Sequence, residues 1–209
     1  MSSKKRAGAH RPLPPGWRWV RLGDSSIATI IMGQSPPGST YTKDPVGLPF
    51  YQGAADFGEL YPTPSVWCNA PIRIAEPGDV LLSVRAPVGP TNIANERCCI
   101  GRGLAAIRPG NLLLTYYLLV VLRHLEDKLA SRGSGSTFGA IGREHIKAII
   151  FPLPPLPDQR AIVARLEAQM AEVQRLRAAA ERQLEAINAL PGALLNEVFG
   201  EFEPPMDSE

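Results

Sequence analysis

Short apolar runs, cut by Pro or Gly, alternate along the first half of the chain. They fall at residues 17–22, 27–32, 48–52, 72–75 and 80–84, then at 93–94, 98–100 and 104–107. Runs this short, bounded by turn residues, predict β-strands rather than helices. Glu76-Pro77-Gly78-Asp79 and Ala86-Pro87-Val88-Gly89-Pro90 predict tight turns between them. The pattern changes at Asn111. Residues 112–130 contain no Pro or Gly and carry Tyr116, Leu119, Val120, Arg123 and Asp127 at helical spacings, so a helix is predicted. The polar stretch 132–137 reads as a loop, and 146–151 as a short element.

A different period governs the C-terminal part. Pro152-Leu153-Pro154-Pro155-Leu156-Pro157 predicts a stiff, extended connector. Beyond it, Asp158 is placed to cap a helix, and no Pro or Gly follows until Pro191. Leu166, Val173, Ala180, Ile187 and Leu194 recur every seven residues. Met170, Leu176 or Arg177, Leu184 and Leu190 fall between them. Steps of three and four sustained in this way predict the apolar seam of a coiled coil. A helix of roughly 32 residues is about 48 Å long, more seam than one small domain can cover. The helix is therefore expected to pair with another, through Leu166, Met170, Val173, Leu176, Ala180, Leu184, Ile187 and Leu194. Folding back along its own domain is the alternative.

The expected fold class is α+β, a β-rich globular domain followed by one long C-terminal α-helix that pairs as a coiled coil. The expected organisation is a disordered basic tail at 1–11, the globular domain at 12–151 and the proline connector at 152–157. A helix at 158–195 and an acidic tail at 196–209 complete it. Composition supports this division. The 209 residues include 21 Pro and 19 Gly, about a fifth of the chain, which argues against an all-helical bundle. The net charge of +2 conceals an asymmetry, since residues 1–151 carry +7 and residues 152–209 carry −5. A basic domain is a candidate for a polyanionic partner, although uneven solvation of an ordinary surface gives the same totals. Cys68, Cys98 and Cys99 form no CxxC pair, which points away from a disulfide framework or zinc site and towards the cytoplasm. No secretory signal or membrane-length apolar stretch is read.

Catalytic signatures are missing. His10, His124 and His145 stand in no metal-ligand spacing, and no phosphate-binding or nucleophile motif occurs. Gly133-Ser134-Gly135 reads as a flexible loop, and Glu126-Asp127-Lys128 as a solvated helix face. The Pro-Pro pairs lack the Asn or Asp and the aromatic residue that amino-methylation of DNA requires. No catalysis, metal or cofactor is therefore expected. What remains is binding, with Arg, Lys, Gln and small polar residues concentrated at turns.

The order of segments carries a resemblance. Leu13-Pro14-Pro15-Gly16-Trp17, Gly33-Gln34-Ser35-Pro36 and Leu48-Pro49-Phe50-Tyr51-Gln52 come first. Gly78-Asp79-Val80-Leu81-Leu82-Ser83-Val84-Arg85, Ile100-Gly101-Arg102-Gly103 and the stretch 135–141 follow, and Pro152-Leu153-Pro154-Pro155-Leu156-Pro157-Asp158-Gln159 closes the series. In this order they resemble the target recognition domain and conserved helix of type I restriction–modification specificity (S) subunits. Arg102 stands where that family usually has Gln, and Asp158 where it has Glu.

The resemblance implies a DNA-reading subunit without catalysis of its own. It implies duplex DNA, a methyltransferase subunit and a restriction motor–nuclease subunit as partners. A full subunit of the family would hold two such units, so this chain is expected to be a half-subunit that pairs with a second copy. Gln34, Lys43, Gln52, Arg85, Arg102, Thr137 and Arg143 are the expected DNA contacts. For each Arg the alternative is surface solvation or a structural ion pair. The alternative for the whole chain is a protein-interaction module that pairs with a specificity subunit without reading DNA.

Overall fold

The computed structural model describes residues 12–134 and 139–200. The tail at 1–11, Thr137 and residues 201–209 lie outside them. The described strands are β1 (Arg18–Arg21), β2 (Ala28–Met32), β3 (Tyr41–Thr42), β4 (Leu48–Tyr51), β5 (Trp67–Cys68) and β6 (Ile74–Ala75). Next come β7 (Val80–Ser83), β8 (Thr91–Ile93), β9 (Cys98–Ile100) and β10 (Leu104–Pro109). Helices α1 (Thr115–His124), α2 (Glu126–Ser134) and α3 (Arg143–Lys147) precede β11 (Ile150–Leu153), and α4 (Leu156–Phe199) ends the chain. This is the expected α+β class, a β-rich domain followed by a long C-terminal helix. Two compact units divide after Val163.

In the first unit, β2-β10-β7-β8 form one antiparallel sheet and β3-β5-β4-β9-β6 a second, while β1 pairs only with β11. All pairings are antiparallel except β4 with β9, which run parallel. Strands β7 and β10 are buried on both faces, which is why they read as unbroken apolar runs. Val80, Leu82, Ala105 and Ile107 point into a core shared with Tyr117, Leu118 and Leu122 of α1, Ile146 of α3 and Phe151 of β11. Their neighbours Leu81, Leu104 and Ala106 point the other way, onto Tyr51, Ala75, Cys98 and Ile100. This period of two is the strand geometry itself. Leu118 and Leu122 are fully buried, and each such side chain contributes about 2 kcal/mol.

Buried polar groups are paired almost throughout. Asp79, 1% exposed, accepts two parallel bonds from Arg108, Nε to Oδ1 and Nη2 to Oδ2, both at 2.9 Å. Its Oδ2 also accepts the Glu76 N–H, which fixes the turn before β7. Gln159 is completely buried in the first turns of α4. Its Nε2 donates to the Leu112 and Pro154 carbonyls at 2.9 and 2.8 Å, and its Oε1 accepts the Leu114 N–H at 2.9 Å. That last bond serves an N–H at the start of α1, where no side chain of the helix itself caps it.

Several expectations need correction. The proline stretch is not a free connector, because Pro152 and Leu153 belong to β11, where Trp19 faces Pro152. An edge pairing tolerates proline. Helix α4 begins at Leu156, before the expected Asp158, because Pro157 in a first turn sacrifices no helical donor. Asp158 is thus inside the helix, and its carboxylate accepts the Trp17 indole N–H at 3.0 Å. The helix also runs through Pro191 to Phe199, beyond the expected end at 195 and into the expected acidic tail. At 44 residues it is about 66 Å long.

The single helix expected at 112–130 is two. Leu125 (φ −94°, ψ 2°) breaks it, its N–H bonding to both the Val121 and Leu122 carbonyls. Residues Arg132 to Ser134, expected as loop, continue α2. The short element expected at 146–151 divides between α3 and β11.

Along α4 the apolar seam is solvent-exposed in the single chain. Met170, Val173, Leu176, Leu184, Ile187 and Leu194 are each at least half exposed. Among the described residues no helix is long and apolar enough to cross a membrane.

Gln159→Ala strands one buried N–H and two carbonyls, so the loss in unfolding free energy is expected on the order of 3 kcal/mol. Urea denaturation checks it, and a loss below about 0.5 kcal/mol would remove Gln159 from its bridging role.

Candidate nucleic-acid interface

Four chain segments leave their strands at the same place. Chain after β2 turns at Gly33-Gln34-Ser35, where Gly33 N–H bonds to Leu104 O and Gln34 N–H to Ile100 O. The end of β4 delivers Gln52, and Gly101 N–H bonds to Tyr51 O beside it. The end of β7 delivers Ser83 and Arg85, tied in by the Val84 N–H on Gly103 O. The turn between β9 and β10, Gly101-Arg102-Gly103, lies among the other three. The result is a cleft of about 230 Å³ lined by Ser35, Gln52, Gly53, Ser83, Arg85, Arg102 and Gly103 among others.

Glycines make this convergence possible by close approach of backbones. A Cβ at Gly103 would lie 2.1 Å from the Gln52 carbonyl oxygen, and one at Gly33 equally close to Gly101 O. Hydroxyls and one carboxylate complete the lock. Ser35 Oγ accepts the Arg102 N–H at 3.2 Å. Ser83 Oγ donates to the Pro87 carbonyl at 2.8 Å, holding the turn that carries Arg85. Asp56, closing a 3-10 turn over Ala54–Asp56, accepts the Gln52 and Gly53 N–H groups at 2.7 and 3.4 Å.

Within the cleft the charge is of one sign. Arg97 pairs with Glu76, Arg108 with Asp79 and Lys147 with Glu144. Arg85 and Arg102 are exposed and have no acidic partner among the described residues. No carboxylate lines the cleft. Its side chains therefore offer two free guanidinium forks, an amide and a hydroxyl, a donor-rich surface suited to an acceptor-rich ligand.

Of the seven residues expected to contact DNA, Gln52, Arg85 and Arg102 come together here. Gln34 is exposed immediately beside Ser35 but is not part of the lining. Lys43 is exposed between β3 and β4 and does not line the cleft either. Arg143 stands apart, because its Nη2 donates at 2.9 Å to the Ile30 carbonyl on the sheet-edge strand β2. Thr137 falls outside the described residues. Sequence reasoning missed Ser35, Ser83, Asp56 and Gly103. Ser35 and Ser83 lie inside the quoted motifs, and the small-residue turn Gly101-Arg102-Gly103 was a visible sign of close packing.

The cysteines take no part in this chemistry. Burial pushes the Cys98 thiol up to about 12 and the Cys99 thiol up to about 11, so both stay neutral fillers of the core at ordinary pH. Among the described residues no group of three or more His, Cys, Asp or Glu could hold a metal ion.

The chain belongs to the family of type I restriction modification DNA specificity domains, which it matches over residues 14–186. Among curated proteins it is similar to the putative type I restriction enzyme MjaX specificity subunit of Methanocaldococcus jannaschii, with 42% identity over 166 residues. That match covers 78% of this chain and 39% of the relative. Solved structures agree. The HsdS subunit of Thermoanaerobacter tengcongensis is 53% identical with a TM-score of 0.73, over 83% of this chain and 42% of that one. A chain from a structure describing complex assembly and conformational transition of the type I R-M system is 52% identical with a TM-score of 0.82. It is matched over 93% of this chain and 48% of its own length. The S subunit of M. genitalium, 15% identical with a TM-score of 0.58, shares the fold. The chain thus spans less than half the length of each of these relatives.

Gly103→Ala drives a methyl group into the Gln52 carbonyl, a contact that only backbone displacement relieves. A stability loss of about 2 kcal/mol is expected in chemical denaturation. Gly38→Ala, where an added Cβ meets nothing within 4 Å, serves as the near-neutral control.

Proposed function

We propose that this chain is a DNA sequence-recognition unit of a type I restriction–modification system, reading one half-site through the cleft at the strand ends. The observation that carries this is the convergence of Gln52, Arg85 and Arg102, unpaired and pre-set by backbone bonds, on a domain of net charge +3 over residues 12–151, preceded by four more basic residues at 1–11. Arg and Gln forks read base edges in the major groove, while the surrounding positive charge holds phosphates. The family and its named specificity-subunit relatives support the same reading.

The unit performs no catalysis of its own. A methyltransferase subunit supplies the methyl-transfer chemistry, and a motor–nuclease subunit joins where the system also restricts. The seam of α4, from the half-buried Leu166 through the exposed Met170, Val173, Leu176, Ala180, Leu184 and Ile187 to Leu194, is the surface for pairing with a second copy as a coiled coil. Two-fold pairing sets two recognition domains a fixed distance apart and requires an interrupted palindrome in the DNA. The assembly works in the cytoplasm, beside the DNA it reads.

Co-expression with the cognate modification subunit, followed by sequencing of methylated bases, is expected to return a gapped, symmetric motif. Absence of any such motif sinks the DNA-reading role, and DNA binding that ignores salt points instead to a protein-interaction module. Solution mass tests the pairing, because a 22.6 kDa monomer at micromolar concentration contradicts it.

A further inference from the structure

Two side chains of the cleft differ from the third in how firmly their Cα positions are held. Arg102 is fixed from both sides, by its own N–H on Ser35 Oγ and by the Leu104 N–H on Gly101 O, which closes the turn beneath it. Gln52 is fixed by its N–H on Asp56 Oδ2 at 2.7 Å and by Gly103 packed against its carbonyl. The two turns therefore lock each other. Arg85 starts from a looser frame. Its own N–H makes no hydrogen bond among the described residues, and the backbone bonds nearest to it, to Gly103 O and from the Ile141 N–H, are made by its neighbour Val84.

Reading a base requires a side chain that emerges from a fixed point, because two hydrogen bonds must meet two atoms of one edge. Holding a phosphate makes no such demand. The chemistry of the two fixed side chains is specific. A guanidinium fork donates twice, matching guanine N7 and O6, whereas a carboxamide donates once and accepts once, matching adenine N7 and N6. Cytosine presents a donor at N4, and no carboxylate in the lining waits to accept it. Asp56 does not fill that role, since it is not part of the lining and its Oδ2 is turned to the Gln52 and Gly53 N–H groups behind it.

Resting on the DNA-reading role proposed above, we infer that Arg102 reads a guanine and Gln52 an adenine of the half-site. In this arrangement Ser35 and Asp56 are the positioning residues that aim them, and Arg85 is a phosphate contact.

The test uses the full chain assembled with its modification subunit and a library of duplexes that differ at single half-site positions. The wild-type complex is expected to prefer G·C at one position and A·T at another. Arg102→Ala should relax the first, and Gln52→Ala the second, each by about ten- to a hundredfold. Ser35→Ala should relax the same position as Arg102→Ala, and Asp56→Ala the same position as Gln52→Ala, while the other positions keep their discrimination. A merely structural role would weaken every position together. Ser35→Thr and Asp56→Asn each retain an acceptor oxygen and should restore most of the discrimination, which covers the case in which an alanine variant folds poorly. Arg85→Ala should weaken all duplexes alike and lower the salt slope by about one.

Three outcomes overturn the inference. Arg102→Ala could behave as a phosphate contact, Ser35→Ala could leave the Arg102-dependent position untouched, or the wild-type half-site could contain no G·C pair. A wild-type complex with no sequence preference at all is a separate result, and it defeats the DNA-reading role itself.

Discussion

The buried amide of Gln159 joins two pieces of chain that are far apart in sequence, residues 112–114 and 154–159. It takes the carbonyls of Leu112 and Pro154 and the N–H of Leu114, and so ties the first turns of α4 to the approach of α1. A carboxamide can donate to two carbonyls while accepting from an amide in a space closed to solvent. A glutamate there would place a charge among carbonyl dipoles, and a leucine would abandon all three groups. The start of the long helix is therefore part of the β-rich domain. Trp17 on Asp158, and Ile162 and Val163 packed against the main core, extend the same attachment.

A second constraint shapes the cleft. Ser35, Gln52, Arg85 and Arg102 are spread over most of the domain's sequence, and strand ends bring them together. The strands that deliver Gln52 and Arg85 are sheet interior, and loops at the end of a rigid scaffold are where binding groups can vary without disturbing the fold. The glycines remove Cβ atoms where backbones cross, and hydroxyl or carboxylate groups bind the freed N–H groups. The cleft's shape is thus a property of its backbone, and its charge a property of two side chains.

The fold was legible in the sequence where burial was symmetrical. Strands β7 and β10, covered on both faces, announce themselves as apolar runs, and the seam of α4 announces itself by period. The two-residue strands β3 and β5 carry no period at all and are defined by their partners. Proline misled twice in the same stretch, once as an edge strand and once inside a first helical turn, positions where a missing donor costs nothing. The site was half legible. Turn position and residue type picked out Gln52, Arg85 and Arg102, but the same logic picked out Arg143, whose guanidinium is engaged with the Ile30 carbonyl. Free and engaged arginines are told apart by their neighbours in space, which linear order does not contain.

The pairing of β1 with β11 sets Arg18 opposite Leu153. The first and last strands of the β-rich domain are thus side by side, and the chain enters and leaves through one narrow doorway. A module closed in this way can be exchanged whole where the graft matches two adjacent chain ends and keeps the backbone groups that Gln159 bonds and the core face under Ile162 and Val163. Recombination between related genes at those two points would leave α4 beyond the junction unaltered and carry a complete cleft with its own turns. A new cleft then arises in one genetic event, without passing through a half-rebuilt site.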